Sequence, residues 1–353
     1  MATAAGLGPE LYIEEMMLLV SQSLAKMEVS EHYEVIRDLG SGTFGKVQLV
    51  RHRFRGTMMA LKLLAKSRTQ MRRFLREYSM SLYLSAHPFI TKPFGIAFES
   101  HDHYAFVQEY APVGDLFELI QPQVGIPEAA AKRCALQVAM ALEHLHGRSL
   151  VHRDVKPENI LLFDRECRRV KLADFGLVRR TGVNVRQGGS VVPYMAPELC
   201  DEDAQKVGSR VGCAEDVWAF GVVVYSILTG YFPWERTSAE DPLYRAFARW
   251  QREAEPQETP PQWTCFTREA RQMLKGFLAL QAKDRSPVKE VMAYLKLRWI
   301  ADSKAKPSGD KLQVSKELPV NTGVAIPASI KENPSCATLI VRESANILCP
   351  KQV

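Results

Sequence analysis

"LVHRDVKPENILLF", residues 150–163, gathers His152, Arg153, Asp154, Lys156 and Asn159 into eight positions between two apolar runs. Chance occurrence of the whole string is negligible, and it has company. Asp174, in "VKLADFGLV" (170–178), follows Asp154 by twenty residues. Upstream lie "GSGTFGKV" (40–47) and "MALK" (59–62), with Lys62 seventeen residues beyond Gly45. Gly40, Gly42 and Gly45 sit between two strand-like runs. Glycines there let a tight β-turn bring backbone N–H groups against phosphate oxygens that a side chain would obstruct. A dinucleotide-binding loop would continue directly into a helix, whereas "KVQLVRHR" reads as a strand. A lysine on an interior strand is costly unless its ammonium meets anions. Phosphates would supply them, together with a carboxylate, for which Glu77 in the helical "FLREYSM" (74–80) is the candidate.

Around these motifs the chain changes character once. Residues 10–28 place Ile13, Met17, Val20, Leu24 and Met27 on one stripe of an amphipathic helix, in an N-terminal extension spanning residues 1–32. From Tyr33 to about Arg68, short β-rich runs ("YEVIRDLG", "GKVQLVRHR", "MMALKLLA") predict an antiparallel meander. A helix over 70–86 and a strand over 105–111 follow. Helices are then expected over 127–147, 213–230, 241–254, 267–280 and 287–300. A β-rich first third and a helical remainder imply an α+β, bilobal catalytic domain over residues 33–300. Beyond it, 301–353 is polar and Pro-interrupted, and is expected to be a flexible tail.

The 353-residue chain is 46% hydrophobic, enough for a packed core, and its net charge of +6 is mild and dispersed. Nucleic acid is therefore not an implied partner. Seven cysteines (Cys134, Cys167, Cys200, Cys213, Cys265, Cys336 and Cys349) lack disulfide-framework or zinc spacing, which fits a reducing, intracellular compartment. The N-terminal residues lack the pattern of a signal peptide. The most apolar run, 217–228, is too short to cross a bilayer and reads as a core helix, so no membrane partner is expected.

Residues 33–300 resemble the eukaryotic protein kinase domain, from glycine loop to final helix. The resemblance implies a bilobal kinase fold that uses ATP and Mg²⁺. It makes Asp154 the residue that orients and deprotonates the acceptor hydroxyl, and Asn159 and Asp174 the Mg²⁺ ligands. Lys62 and Glu77 become the phosphate-anchoring ion pair. Lys156 stands where Ser/Thr kinases carry a lysine that contacts the γ-phosphate, which selects that branch over tyrosine kinases. The nucleotide is expected to meet Leu39, Gly40, Ser41, Gly42, Thr43, Phe44, Gly45, Lys46, Val47, Ala60, Lys62 and Leu161. Glu109 to Ala111 would form the adenine-binding hinge behind Gln108, and Asp115 would meet the ribose. The resemblance further implies a salt bridge between Glu198 and Arg285, and anchoring of the catalytic loop by Asp216.

More narrowly, "QEYAPVGDLF" (108–117), "LLFDRECRRVKLADFG" (161–176), "VPYMAPELC" (192–200) and "TGYFPW" (229–234) look like the SH3-binding domain serine/threonine kinase family. An SH3 ligand needs prolines three apart, on one face of a polyproline II helix. No two of the twenty prolines here have that spacing. The expected partners are thus protein substrates with Ser or Thr acceptors, met by a monomer.

"QGGSVVPYMAPEL" (187–199) departs from the kinase pattern. Aligned without gaps, Gln187 stands where many kinases carry an activating phosphothreonine, and Val191 where Ser/Thr kinases keep a threonine that contacts the catalytic Asp and Lys. Arg153 normally implies a loop phosphate to neutralise it. Either neutral hydrogen bonds hold the loop, or Ser190 or Thr181 takes the phosphate. Ser190 could also supply the contact that Val191 lacks. The alternative function these two positions motivate is a pseudokinase-like scaffold that binds nucleotide or partners with little turnover.

Overall fold

The computed structural model describes residues 8–42, 45–186, 193–200, 207–253, 258–301 and 324–325. Its first layer grows from the alternation in "MMALKLLA". Strand β4 (Met58–Ala65) sends Met59, Leu61 and Leu63 to one sheet face and Ala60, Lys62 and Leu64 to the other. The first set enters a small core with Tyr33, Val50, Phe98, Ala105 and Val107. Leu64 joins the main core, with Phe74, Tyr78 and Phe106. Lys62 therefore points toward the layer that covers this second face.

The sheet has six strands in the order β1 (Ala25–Lys26), β5 (Pro93–Glu99), β6 (His103–Glu109), β4, β3 (Gly45–His52) and β2 (Tyr33–Gly42). Strands β2, β3 and β4 form the antiparallel meander that the sequence predicts. Strand β5 is an addition. It begins at Pro93 and contains Gly95, residues that weaken a strand pattern; pairing along β6 on one side and parallel to β1 on the other sustains it.

Helix α3 (Met71–Leu84) lies on the sheet through Phe74, which meets Tyr104 at 5.1 Å between ring centroids and Phe106 at 6.4 Å. Helix α1 (Pro9–Ser23) packs on α3 with Ile13 and Met17 buried in the same core. It is shorter than the stripe over 10–28 suggests. At Leu24 the backbone turns extended, and Ala25–Lys26 leaves the helix to pair with Phe98–Glu99. Sheet hydrogen bonds on the edge of β5 override the helical period there. The short α2 (Val29–His32) leads into β2.

The second layer is helical, with a small sheet at its top. Strand β7 (Gly114–Asp115) and helix α4 (Leu116–Leu119) precede the long helix α5 (Glu128–His146). Strands β8 (Leu150–Val151), β9 (Ile160–Leu162), β10 (Val170–Leu172) and β11 (Arg179–Arg180) follow. Helix α6 (Cys213–Thr229) contains the apolar run 217–228 and is buried over nearly its whole length, as expected for a core helix. Gly230 ends it with φ 70°, where a Cβ would fall 2.4 Å from the Gln121 carbonyl oxygen, so only glycine fits. Asp241 and Thr267 cap α7 (Pro242–Arg252) and α8 (Arg268–Phe277) through their side chains.

The helix expected over 287–300 is reduced to a 3₁₀ turn (Val288–Glu290) and α9 (Val291–Tyr294). Its last residues leave the axis because Trp299 is fully buried. The Glu128 carboxylate accepts from the Trp299 and Ile300 N–H groups at 3.0 and 2.9 Å. Of the residues beyond 301, only Val324–Ala325 is described, as a strand antiparallel to Tyr231–Phe232. Among the described residues no helix is long and apolar enough to cross a membrane. The α+β, two-lobed architecture is the one the sequence implies.

Arg285 ties the helical layer together. It donates to both Glu198 oxygens, at 2.7 and 2.6 Å, and to the Ala214 and Ala279 carbonyls, with its guanidinium 4.8 Å from the Trp218 ring centroid. Removing one partner of a buried pair costs roughly 3–5 kcal/mol. Because the Glu198 side chain keeps 35% exposure and can rehydrate, Arg285→Ala should fall at about 3 kcal/mol, the lower end of that range, in a denaturant titration.

Candidate active site

The site lies between the two layers, and strand register assembles it. Strands β9 and β10 pair with Leu172 opposite Ile160. This register sets the end of the 152–159 loop beside the residues after β10, where the Ala173 N–H donates to the Asn159 carbonyl at 2.8 Å. Lys62, from β4 on the opposite wall, bridges the gap. Its ammonium is 2.6 Å from Glu77 Oε1 and 3.0 Å from Asp174 Oδ2. Glu77 sits one turn from Phe74 on the buried face of α3, so packing of that face delivers its carboxylate to Lys62.

Electrostatics follow from this geometry. Burial alone would lower the Lys62 ammonium, but the carboxylates of Asp174 and Glu77 outweigh it and hold the group well above the usual lysine range. Burial would likewise raise Asp174, yet the Lys62 charge brings it down to about 2. Burial holds Glu77 above the usual carboxylate range, with Lys62 offsetting only part of that rise. Lys62 is the shared counter-charge of two carboxylates that repel each other across it.

The 152–159 loop is held from below. Asp216, buried at the start of α6, accepts from the His152 and Arg153 N–H groups, both at 2.8 Å, and lies 2.9 Å from His146 Nε2. Burial would raise its carboxyl, but the His146 hydrogen bond leads a set of contacts that lower it. His152 is itself fully buried. Its Nε2 donates to the Ala173 carbonyl at 3.1 Å, its Nδ1 accepts from the Asp154 N–H at 3.3 Å, and its ring meets Phe175 edge-on. Arg153 and Asp174 both adopt positive φ, 70° and 64°. Such conformations are strained for these residue types and persist only where surrounding bonds fix them.

Asp154, Lys156 and Asn159 converge on one point. Lys156 Nζ is 2.9 Å from Asp154 Oδ1, and Asn159 Nδ2 donates to the Asp154 carbonyl and Oδ2 at 2.7 and 2.8 Å. Burial would lower Lys156, and the Asp154 charge raises it beyond that effect. With the amide nitrogen of Asn159 so engaged, its carbonyl oxygen is the atom available to a metal. Among the described residues no three His, Cys, Asp or Glu side chains form an all-protein metal centre. A Mg²⁺ held by Asn159 and Asp174 would complete its shell with phosphate oxygens and water, which is how this ion is commonly bound.

The cleft above is lined by Leu39, Gly40, Val47, Ala60 and Lys62 from the sheet side, and by Asp115, Asn159, Leu161 and Asp174 from the other. Gln108, Glu109 and Ala111 form its back wall, and the lining reaches past Gln108 to Ser81 of α3. Ser41, Gly42, Gly45 and Lys46 form the end of the β2–β3 hairpin; Thr43 and Phe44 lie outside the described residues. The glycines divide by cause. A Cβ on Gly45 would come within 1.9 Å of the Leu63 carbonyl oxygen, so the neighbouring strand demands glycine there. Gly40 and Gly42 face open space among the described residues, and packing demands nothing of them. Bare backbone at those two positions fits a phosphate cover. Asp115 has a structural bond as well as its place in the cleft, since its Oδ1 caps α4 through the Glu118 N–H at 3.0 Å.

Two contributors are missed from the motifs alone. The Glu109 side chain, in the hinge, is paired with Lys171 of β10 and with Arg169 at 3.4 Å, and accepts from the Lys92 N–H at 2.7 Å. It thus fastens the hinge to the lower layer. A signal for Lys171 exists: a lysine in the buried "VKL" strand poses the same question of a counter-charge as Lys62. Glu215 is the second, 3.5 Å from Arg153 Nε. Gln187, Ser190 and Val191 lie outside the described residues. Thr181 is described in the turn after β11, its N–H donating to the Ser149 carbonyl at 2.9 Å.

Comparison with known proteins agrees with this geometry. Residues 33–297 match the protein kinase domain family. The zebrafish serine/threonine-protein kinase SBK1 is 54% identical over 82% of this chain and 75% of its own length. The mouse SBK1 is 48% identical over 90% of this chain and 77% of its own, and the human serine/threonine-protein kinase SBK2 is 45% identical over 81% and 83%. These relatives carry the family resemblance seen in the motifs across most of the chain. The chain belongs to the eukaryotic protein kinases, in the SH3-binding domain serine/threonine kinase family.

Proposed function

We propose the following division of labour for this serine/threonine protein kinase, with ATP as phosphoryl donor and Mg²⁺ as its companion. The carrying observation is the convergence of Asp154, Lys156 and Asn159 opposite the Lys62–Glu77–Asp174 cluster. Asp154 orients the acceptor hydroxyl and takes its proton as the new P–O bond forms and the bond to the leaving diphosphate breaks. Lys156 neutralises charge beside it. Lys62, kept protonated, anchors phosphate oxygens at the other side of the transferring group. Asn159 and Asp174 would hold Mg²⁺, whose charge would offset the negative charge on the phosphoryl oxygens. The apolar faces of Leu39, Val47, Ala60 and Leu161 would sandwich the adenine, with the backbone of Glu109 to Ala111 at its edge.

Relatives named as serine/threonine kinases support turnover, and no comparison favours the pseudokinase alternative. Protein substrates follow from the family. We read the protein as a cytoplasmic monomer acting without nucleic acid or membrane, on its dispersed charge and cysteine pattern, and without an SH3-directed PxxP segment.

Transfer of labelled phosphate from ATP to a Ser/Thr peptide library tests the central reading. Asp154→Asn should lower kcat by roughly 100-fold or more, the usual weight of a general base, and equal rates for the two proteins would reject it. The same assay addresses specificity. Glu158 is exposed and borders the cleft with Asp115 and Glu118, which favours basic residues before the acceptor. Glu158→Gln should raise KM for an Arg-containing peptide by about threefold to tenfold, with KM for ATP unchanged.

A further inference from the structure

Three arginines adjoin the site's key residues along the chain. Arg76 precedes Glu77 on α3, Arg153 precedes Asp154 in the catalytic loop, and Arg179 opens the segment after Asp174. Burial, joined by the like charges of Arg76 and Arg153, lowers the Arg179 guanidinium to about 10. Kinases with an arginine beside the catalytic aspartate commonly answer that charge with a phosphate on the activation segment. Here the position that would carry it is Gln187.

Two carboxylates reach these arginines from elsewhere in the fold. Glu10, in the first turn of α1, lies 2.6 Å from Arg76 Nη1, and Glu14 one turn later lies 3.6 Å from Arg72. Ile13 and Met17 hold α1 against α3, and Tyr12 meets Tyr83 at 5.5 Å. Glu215, buried in the first turn of α6, places Oε2 3.5 Å from Arg153 Nε, while its Oε1 accepts from the Gly212 N–H at 2.9 Å. Asp216 next to it holds the Arg153 backbone. One helical turn therefore hydrogen-bonds the Arg153 main chain and sets a carboxylate at ion-pair distance from its guanidinium.

We propose that Glu10 and Glu215 are positioning residues that stand in for an activation-segment phosphate. Pairing with Arg76 and Arg153 from within the chain, they let α3 and the catalytic loop reach their paired arrangement without phosphorylation. Burial pushes the Glu215 carboxyl up to about 7, so its share grows as pH rises through that value. The N-terminal helix is then a built-in activator. Through Arg76 and the Ile13–Met17 contact it sets the residue adjacent to Glu77, and so the Lys62 pair. The inference rests on the kinase reading and extends it to regulation.

The test uses the full chain, untreated and phosphatase-treated, with intact mass to confirm removal of phosphate and peptide phosphorylation as readout. Treated protein should keep its rate within about twofold, while Glu10→Gln and Glu215→Gln each lower kcat about fivefold to tenfold with melting temperatures near wild type. The charge swap Glu10→Arg with Arg76→Glu should recover at least about half of the lost rate, because it restores the pair with reversed sign. Loss of activity on phosphatase treatment, full activity in both Gln variants, or a swap no better than Glu10→Gln would each overturn the proposal. An untreated protein no faster than Asp154→Asn would instead overturn the kinase reading itself.

Discussion

The contact of Lys62 with Glu77 and Asp174 is the constraint on which the rest of this molecule depends. Each residue comes from a different element: strand β4, helix α3 and the turn after β10. Glu77 is buried, Lys62 mostly so and Asp174 half-exposed, and withdrawal of an ion from water is unfavourable unless partners sit at bonding distance. The triad therefore forms only when all three elements are in place. An error of an ångström or two in α3 would strand the buried Glu77 carboxylate and leave Lys62 with Asp174 alone.

Much of the surrounding structure can be understood as what keeps those elements in place. Helix α1 covers α3 from outside, and Phe74 seats it on the sheet from inside. Glu109, held by Lys171 and Arg169, ties the hinge to the lower layer. Below, Asp216 fixes the 152–159 loop and His152 links that loop to Ala173, next to Asp174. The positive φ values of Arg153 and Asp174 belong to this scheme, since unusual backbone is stored where several bonds overdetermine it. Arg285 and Glu198 serve the far end of the segment in the same way.

The fold was legible in the sequence where one periodicity or motif decided the local structure. The β-rich run "MMALKLLA" gave a strand whose one lysine required anions, and the loop around Asp154 gave the two-lobed kinase plan. Legibility failed where the deciding partner is distant in the chain. Glu109 meets Lys171 across 62 residues and Arg76 meets Glu10 across 66, and no spacing rule encodes such pairs. Strand β5 was hidden by Pro93 and Gly95, because its support comes from β1 and β6 and not from its own propensity. The helix over 287–300 was overread, since the periodic pattern says nothing of a buried Trp299 held by Glu128. No motif marks Glu215; only the fold brings Arg153 to it.

These strands meet in one claim: the chain aligns its catalytic residues with its own side chains, and the Lys62–Glu77 pair is the sign that it has done so. A crystal structure of the full chain, shown by mass to carry no phosphate, tests this most directly. In that structure α3 should be packed inward under α1, with Lys62 and Glu77 within about 4 Å, the limit of an ion pair. An α3 swung outward, with Glu77 turned from Lys62 in phosphate-free protein, would contradict it.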